Sequence, residues 1–292
     1  KYHYSKHNPA LPLYTEQDAV DCLKLFQPVE FNLPYSITSN IVSTWRHAGH
    51  ILGAAFIELN VESKTLCFSG DLGRFNDPIM RPPEKPHACD TLILESTYGD
   101  RLHGTEDPLT VIAKTVNDTY HKQGTILIPA FAVGRTQAIM YYLDQLILDK
   151  KIPSIPIYLD SPMGIDATEI LQKYVNEHRL TRSDCQRICS RIEYIHTPDE
   201  SKELDLVKTP KIILSASGML SGGRILHHLK CFGPYRNNSI LLTGYQAAGT
   251  RGARLLNHET HIKIHGEMVP INAQIVELTT TSAHADYNEL LA

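Results

Sequence analysis

Residues 125–151 read TILIPAFAVGRTQAIMYYLDQLILDKK. The first part is a short apolar run that ends among proline, glycine and small residues, as a buried strand does. The second part spaces its apolar residues along one face of a helix. A strand leading directly into a helix is one βα unit, and the pattern recurs downstream. IPIYLDSPMG (155–164) precedes ATEILQKYVNEHRL (167–180), and KIILSASGMLSGGR (211–224) precedes ILHHLKCF (225–232). SILLTGYQAAGTRG (239–252) supplies a fourth strand. Alternation of this kind predicts a mostly parallel, doubly wound sheet with helices on both faces.

The pattern changes on either side of this region. Leu109, Ile112, Ala113, Val116 and Tyr120 fall at helical spacing, and Gly124 is expected to close that helix. Before residue 100 the chain reads as strands. SNIVSTWRHAGHILGAAFIELNVESKTLCFSGD (39–71) alternates apolar and polar residues around a turn at ESK, and DTLILESTYGD (90–100) adds a buried strand. Residues 181–208 are polar and predict short helices. The tail, HIKIHGEMVPINAQIVELTTTSAHAD (261–286), returns to β-type alternation. The expected organisation is a β-rich first segment (1–99), an inserted α/β domain (100–275) and a return to the first part (276–292).

Composition narrows the class. Apolar residues make up 42% of the chain and charged residues 21%, as in an ordinary soluble domain, and no apolar run is long enough for a membrane span. The N-terminus has no signal-peptide core. Six cysteines (Cys22, Cys67, Cys89, Cys185, Cys189, Cys231) form no Cys-x-x-Cys pair, which points to reduced thiols and a cytoplasmic location. A net charge of −4 gives no overall basic signature, so nucleic acid would have to bind in a local groove.

Each strand of the α/β region ends in small or glycine-rich residues: PAFAVGR, LDSPMG, SASGMLSGGR and TGYQAAGTRG. Ligands of open α/β sheets bind outside these carboxyl ends, where glycines and helix N-termini admit phosphate. The expected phosphate-binding set is Arg135, Ser161, Ser217, Gly218, Gly222, Gly223, Arg224, Gly249, Thr250 and Arg251. Neither nucleotide-binding fingerprint is present, so an extended groove for a polyphosphate or nucleic-acid ligand is favoured over a mononucleotide pocket. Upstream, His50 and Asp71 stand at strand ends as metal-ligand types, although two ligands do not hold a zinc.

In order along the chain, HAGHILGAA, SGDLGR, LILESTYGDRLH, ASGMLSGGR, GYQAAGTRG and SAHAD resemble the β-CASP branch of the metallo-β-lactamase superfamily, especially its RNA-processing ribonucleases. The resemblance covers essentially the whole chain. It implies a partial metallo-β-lactamase fold of the αββα type with an inserted doubly wound β-CASP domain. By the same resemblance, His50 is a zinc ligand and Asp71 bridges two Zn2+ ions. Glu95 would orient His284, which serves the scissile phosphate as general acid. The implied activity is zinc-dependent hydrolysis of single-stranded RNA, by endonucleolytic or 5′-3′ exonucleolytic cleavage, with backbone contacts to the strand. Partner expectations are RNA, no membrane, and a homodimer left open. An inactive RNA-binding scaffold and a DNA-repair nuclease of the same superfamily are the alternatives.

The sequence also departs from the family pattern. The run His-x-His-x-Asp-His is absent upstream of His50, and HYSKH places His3 and His7 four apart without the aspartate, as a surface loop would. HGE at 265–267 precedes SAHAD and is read as a turn, not as the family's last histidine motif. His47 is read as structural, and Ser282 as the cap of the helix that DYNELL begins. His227, His228, His258 and His261 are read as solvated or packing residues. The remaining ligands are expected beyond both ends of this chain, which would make it a fragment whose own zinc binding is weak or absent.

Overall fold

The computed structural model describes Pro9 and residues 11–292, so HYSKH with His3 and His7 lies outside the described residues. The first part begins with a short helix, α1 (Glu16–Leu23), which the strand-rich reading of this region does not predict. β1 (Tyr35–Thr38), β2 (Ile41–His47), β3 (Ala55–Val61), β4 (Lys64–Phe68) and β5 (Thr91–Ile93) then form one sheet in sequence order. The β3–β4 hairpin closes through Glu62 and Ser63, with Val61 opposite Lys64 and Glu62 at φ 54°.

β2 and β4 are both antiparallel to β3, so they run the same way, and β5 lies parallel to β4. The carboxyl ends of β2, β4 and β5 therefore open on one edge of the sheet. That edge carries residues 48–50, 69–73 and 94–95. Register thus gathers three segments separated in sequence before any side chain is considered.

The second part contains α2 (Pro108–His121), β6 (Thr125–Pro129), α3 (Arg135–Leu148), β7 (Ile157–Leu159), α4 (Pro162–Lys173), α5 (Arg182–Ser190) and β8 (Ile192–Tyr194). It continues with α6 (Pro198–Leu206), β9 (Lys211–Ser215), α7 (Ile225–Phe232), β10 (Ser239–Leu242), α8 (Arg251–Leu256), the hairpin β11 (His261–Ile264) and β12 (Glu267–Pro270), and β13 (Gln274–Glu277). Six strands form a sheet in the order β13-β10-β6-β9-β7-β8, and every pairing in it is parallel.

Successive strand residues face opposite sides of a sheet, and both sides here are apolar. Ile126, Ile128, Ile212, Leu214 and Leu241 pack with Ile112 and Val116 of α2, Ile139, Met140 and Leu143 of α3, and Ile188 of α5. Leu127, Ile213, Ile240 and Leu242 pack on the other side with Leu226 and Leu229 of α7, Leu255 of α8 and the hairpin residues Ile262 and Ile264. Two cores sharing one sheet make the doubly wound architecture that the strand–helix alternation predicts.

Several local expectations are corrected. The end of α2 turns at Gln123, at φ 55°, and not at Gly124. Gly124 is required for space, since a Cβ there would run into the Asn237 carbonyl. The polar stretch 181–208 holds the strand β8 as well as helices α5 and α6. Asp286 caps the last helix, α9 (Tyr287–Leu290), in place of Ser282. Ser282 Oγ instead accepts from the His284 amide at 3.2 Å. His265 lies in the β11–β12 turn at φ 47°. Among the described residues no helix is long and apolar enough to cross a membrane.

Candidate active site at the junction of the two parts

After β13 the chain turns back onto the open edge of the first sheet. Gly73 forms a bridge with His284, and Gly49 forms one with Leu72. The Ala285 amide donates to the Leu72 carbonyl at 2.8 Å and the Gly73 amide to the Ala48 carbonyl at 2.7 Å. Two glycines make this crossing. Gly49 has φ 71°, and a Cβ on it would lie 2.6 Å from the Arg81 carbonyl oxygen. A Cβ on Gly73 would collide with the Gly49 carbonyl.

The crossing assembles four side chains. The His50 and His284 rings lie 4.3 Å apart at 43°. His50 Nε2 is 3.9 Å from Asp71 Oδ2. His284 Nδ1 is 3.2 Å from Glu95 Oε2 and 3.4 Å from Oε1. The Leu72 amide donates to Glu95 Oε1, and the Glu95 amide donates to Ser69 Oγ at 2.8 Å. The Glu95 side chain is only 7% exposed, so the carboxylate is presented to His284 and not to bulk water.

Electrostatics follow the packing. Burial works to raise the Glu95 carboxyl, but the His284 hydrogen bond and the Leu72 amide outweigh it and hold the group below its usual range. Burial and the neighbouring His284 ring push the His50 imidazole down, which keeps it neutral as metal coordination requires. His50 Nδ1 is buried with no hydrogen-bond partner among the described residues. Donor atoms of His50, Asp71 and His284 all lie within 4.8 Å of one another. Two imidazoles and a carboxylate so placed suit a divalent cation of borderline softness.

One participant has no sequence signal beyond its place in LILESTYGDRLH. His103 Nε2 donates to the His284 carbonyl at 2.9 Å, and the His103 amide donates to Asp286 Oδ2 at 3.1 Å. Its side chain is 3% exposed, and it braces the turn that carries His284. His47 stacks on Phe31 with ring centroids 3.8 Å apart.

The strand-end residues expected to grip phosphate mostly have partners within the protein. Arg135 is buried, donates to the Thr243 carbonyl and, at 2.9 Å, to Thr281 Oγ1, and burial lowers its pKa to about 10. Arg224 pairs with Asp160 at 2.6 Å and donates to the Ile195 and His196 carbonyls. Arg251 donates to the carbonyls of Lys263, Leu220 and Ser221. Ser161 and Thr250 cap α4 and α8, and Ser217 Oγ accepts from the Ser221 amide at 3.0 Å. Gly218 is buried, whereas Gly222 and Gly249 have open space beside them and Gly223 is exposed.

Comparison with known proteins identifies relatives of the chain. The profile described as the Beta-Casp domain matches residues 136–255. Over 288 residues the chain is 33% identical to Ribonuclease TTHA0252 of Thermus thermophilus, covering 96% of this chain and 66% of that protein. It is 32% identical over 283 residues to an RNase J-like protein of Methanocaldococcus jannaschii, again 66% of the relative's length. It is 30% identical over 298 residues to Endoribonuclease YSH1 of Kluyveromyces lactis, of which it spans 38%. The chain thus spans about two thirds or less of these relatives.

Proposed function

Because the chain belongs to the β-CASP family of the metallo-β-lactamase superfamily, we propose that it carries part of the active site of an RNA-processing nuclease, a hydrolase of phosphodiester bonds in single-stranded RNA. The observation that supports this most directly is the meeting of His50, Asp71, Glu95 and His284 at one chain crossing. Structural polar residues satisfy one another. Here His50 Nε2 faces the open Asp71 carboxylate, and donor atoms of His50, Asp71 and His284 converge within 4.8 Å, an arrangement that suits a cation.

We take that cation to be zinc, held by His50 and Asp71; when bound it would supply Lewis acidity to the scissile phosphate and to the attacking water. Glu95 accepts the Nδ1 proton of His284, which leaves Nε2 as the atom that holds or gives a proton. Donation from that atom to the departing oxygen is the role we assign to His284. The Leu72 amide keeps the carboxylate aligned, and His103 keeps the His284 main chain from swinging out of the cleft. A cytoplasmic location is part of the same proposal, supported by six cysteines that are all free.

His284 groups with His50 and Asp71 by distance, so it could serve as ligand or as acid, and one variant separates the two. In the full-length protein, His284→Ala is expected to lower RNA cleavage by about 10²–10⁴-fold while zinc content stays at the wild-type level. Zinc lost in step with activity would overturn the acid role. Cleavage of single-stranded DNA in preference to RNA, blocked by chelator, would overturn the choice of substrate.

A further inference from the structure

The arginines at the strand ends turn inward, yet the same edge leaves large apolar side chains in solvent. Tyr245, just beyond β10, is 52% exposed, Phe131, beyond β6, is 46% exposed, and Met163, beyond β7, is 65% exposed. β10, β6, β9 and β7 are consecutive in the sheet, and neighbouring strands lie roughly 4.8 Å apart. Between the outer strands, β9 contributes Gly218, and a Cβ there would lie 3.2 Å from Phe131 Cδ2. The glycine leaves room for the close approach of Phe131 and its backbone. The result is an apolar row along the carboxyl ends, where an α/β sheet receives its ligand.

This row is continuous with the candidate active site. The Tyr98 ring lies 6.3 Å from the His284 ring, tilted by only 24°. Arg101 Cζ lies 5.7 Å from the Tyr98 ring centroid and 5.9 Å from that of Tyr245. The charge of Arg101 is matched by a two-pronged pair with Asp100, at 2.7 and 2.9 Å. Arg101, paired with Asp100, thereby stands between the two rings within cation–π distance of each. The run His284, Tyr98, Arg101, Tyr245 links the first part of the molecule to the second by flat groups alone.

We propose that this edge holds the single strand by its bases, with stacking on Tyr245 and Phe131 beside Arg101. Pairing of strand-end arginines with phosphates does not carry the grip. The proposal rests on the nucleic-acid reading of the preceding section and deepens it. Every base has a π face, so the contact tolerates any sequence, as a processing enzyme requires. A chain with no excess of positive charge can hold a strand this way, since stacking needs no counterion release.

Binding by full-length protein, with chelator present to prevent cleavage, tests this. The probes are a fluorescently labelled single-stranded oligoadenylate and a strand of equal length lacking bases. Tyr245→Ala and Phe131→Ala are each expected to weaken oligoadenylate binding about tenfold, or about 1.4 kcal/mol at 25 °C, within the range for one base on one ring. Neither should change binding of the abasic strand or the slope of log Kd against log salt, and Tyr245→Phe should bind as wild type does. Equal loss on both strands, a changed salt slope, or no loss for either alanine variant would overturn the proposal. Wild-type protein that binds oligoadenylate but fails to cleave it with zinc restored would end the nuclease reading and leave the stacking surface standing. Wild-type protein that does not bind it at all would end both.

Discussion

Glu95 has one oxygen taken by the Leu72 amide and both within reach of His284 Nδ1. A carboxylate can only accept, so it fixes the proton on Nδ1. In Glu95→Gln the amide oxygen still satisfies Leu72, but the NH2 group then faces Nδ1 as a donor and favours the opposite tautomer. Cleavage by the full-length protein should fall about 10- to 100-fold, the usual effect of losing an orienting partner, with zinc content unchanged by metal analysis. Wild-type activity in this variant would show that the carboxylate does not orient His284. At this scale the sequence was most informative through the family resemblance carried by SGD, EST and SAHAD, since on local sequence alone His50 reads as a packed histidine and Asp71 as a turn residue. It was least informative for Arg135, Arg224 and Arg251. Their carbonyl and carboxylate partners, such as Thr243, Asp160 and Lys263, come from distant segments, and guanidinium direction has no local signature. His103 was hidden for the same reason, because its partner lies 181 positions away.

Helices α6 and α7 and the end of β7 are joined by a polar knot that residue types alone did not reveal. His228, fully buried on α7, bonds Asp205 of α6 at 2.6 Å and Asp160 after β7 at 2.8 Å. Asp160 also binds Ser201 of α6 and Arg224. Burial disfavours the charged imidazole, but the two aspartates outweigh it and raise its pKa above the ordinary 6.5. A raised folded value means the imidazolium stabilises fully below about pH 6.5, and its contribution is lost as pH rises through the folded value. Thermal melts should therefore show Tm falling as pH rises from about 6.5 to the raised folded value and levelling off above it, and His228→Gln should remove that part of the slope. Breaking a buried pair of this kind should also lower stability at pH 6 by about 3–5 kcal/mol. A variant with the same slope as wild type would show that His228 is neutral in the fold. The elements themselves were readable because apolar spacing is strong over α2, α3 and β9. The strand β8 was not, being three residues long with Glu193 exposed at its centre.

Across the whole molecule, the α/β part was legible as repeated strand–helix units, whereas the meeting of the two parts depends on close backbone contacts that no side-chain pattern records. Gly73 is the tightest of these contacts. It lies under the Gly49 carbonyl and the His50 amide on one side and bridges His284 on the other. Its neighbours at that point are backbone atoms, so no flexible side chain can move aside for a methyl group. Gly73→Ala must separate the 48–50 segment from the 71–73 segment, and the His284 turn moves with the latter. Overpacking of this kind costs about 1–3 kcal/mol in stability. Displacing a reacting group by about 1 Å costs on the order of 10²-fold in rate. The full-length variant is thus expected to stay folded, with a modestly lower denaturant midpoint, and to lose RNA cleavage far beyond what its unfolded fraction explains. Midpoint and single-turnover cleavage measured on one preparation decide the matter. Activity that falls only in proportion to the folded fraction would show that the crossing holds the two parts together without setting the position of His284.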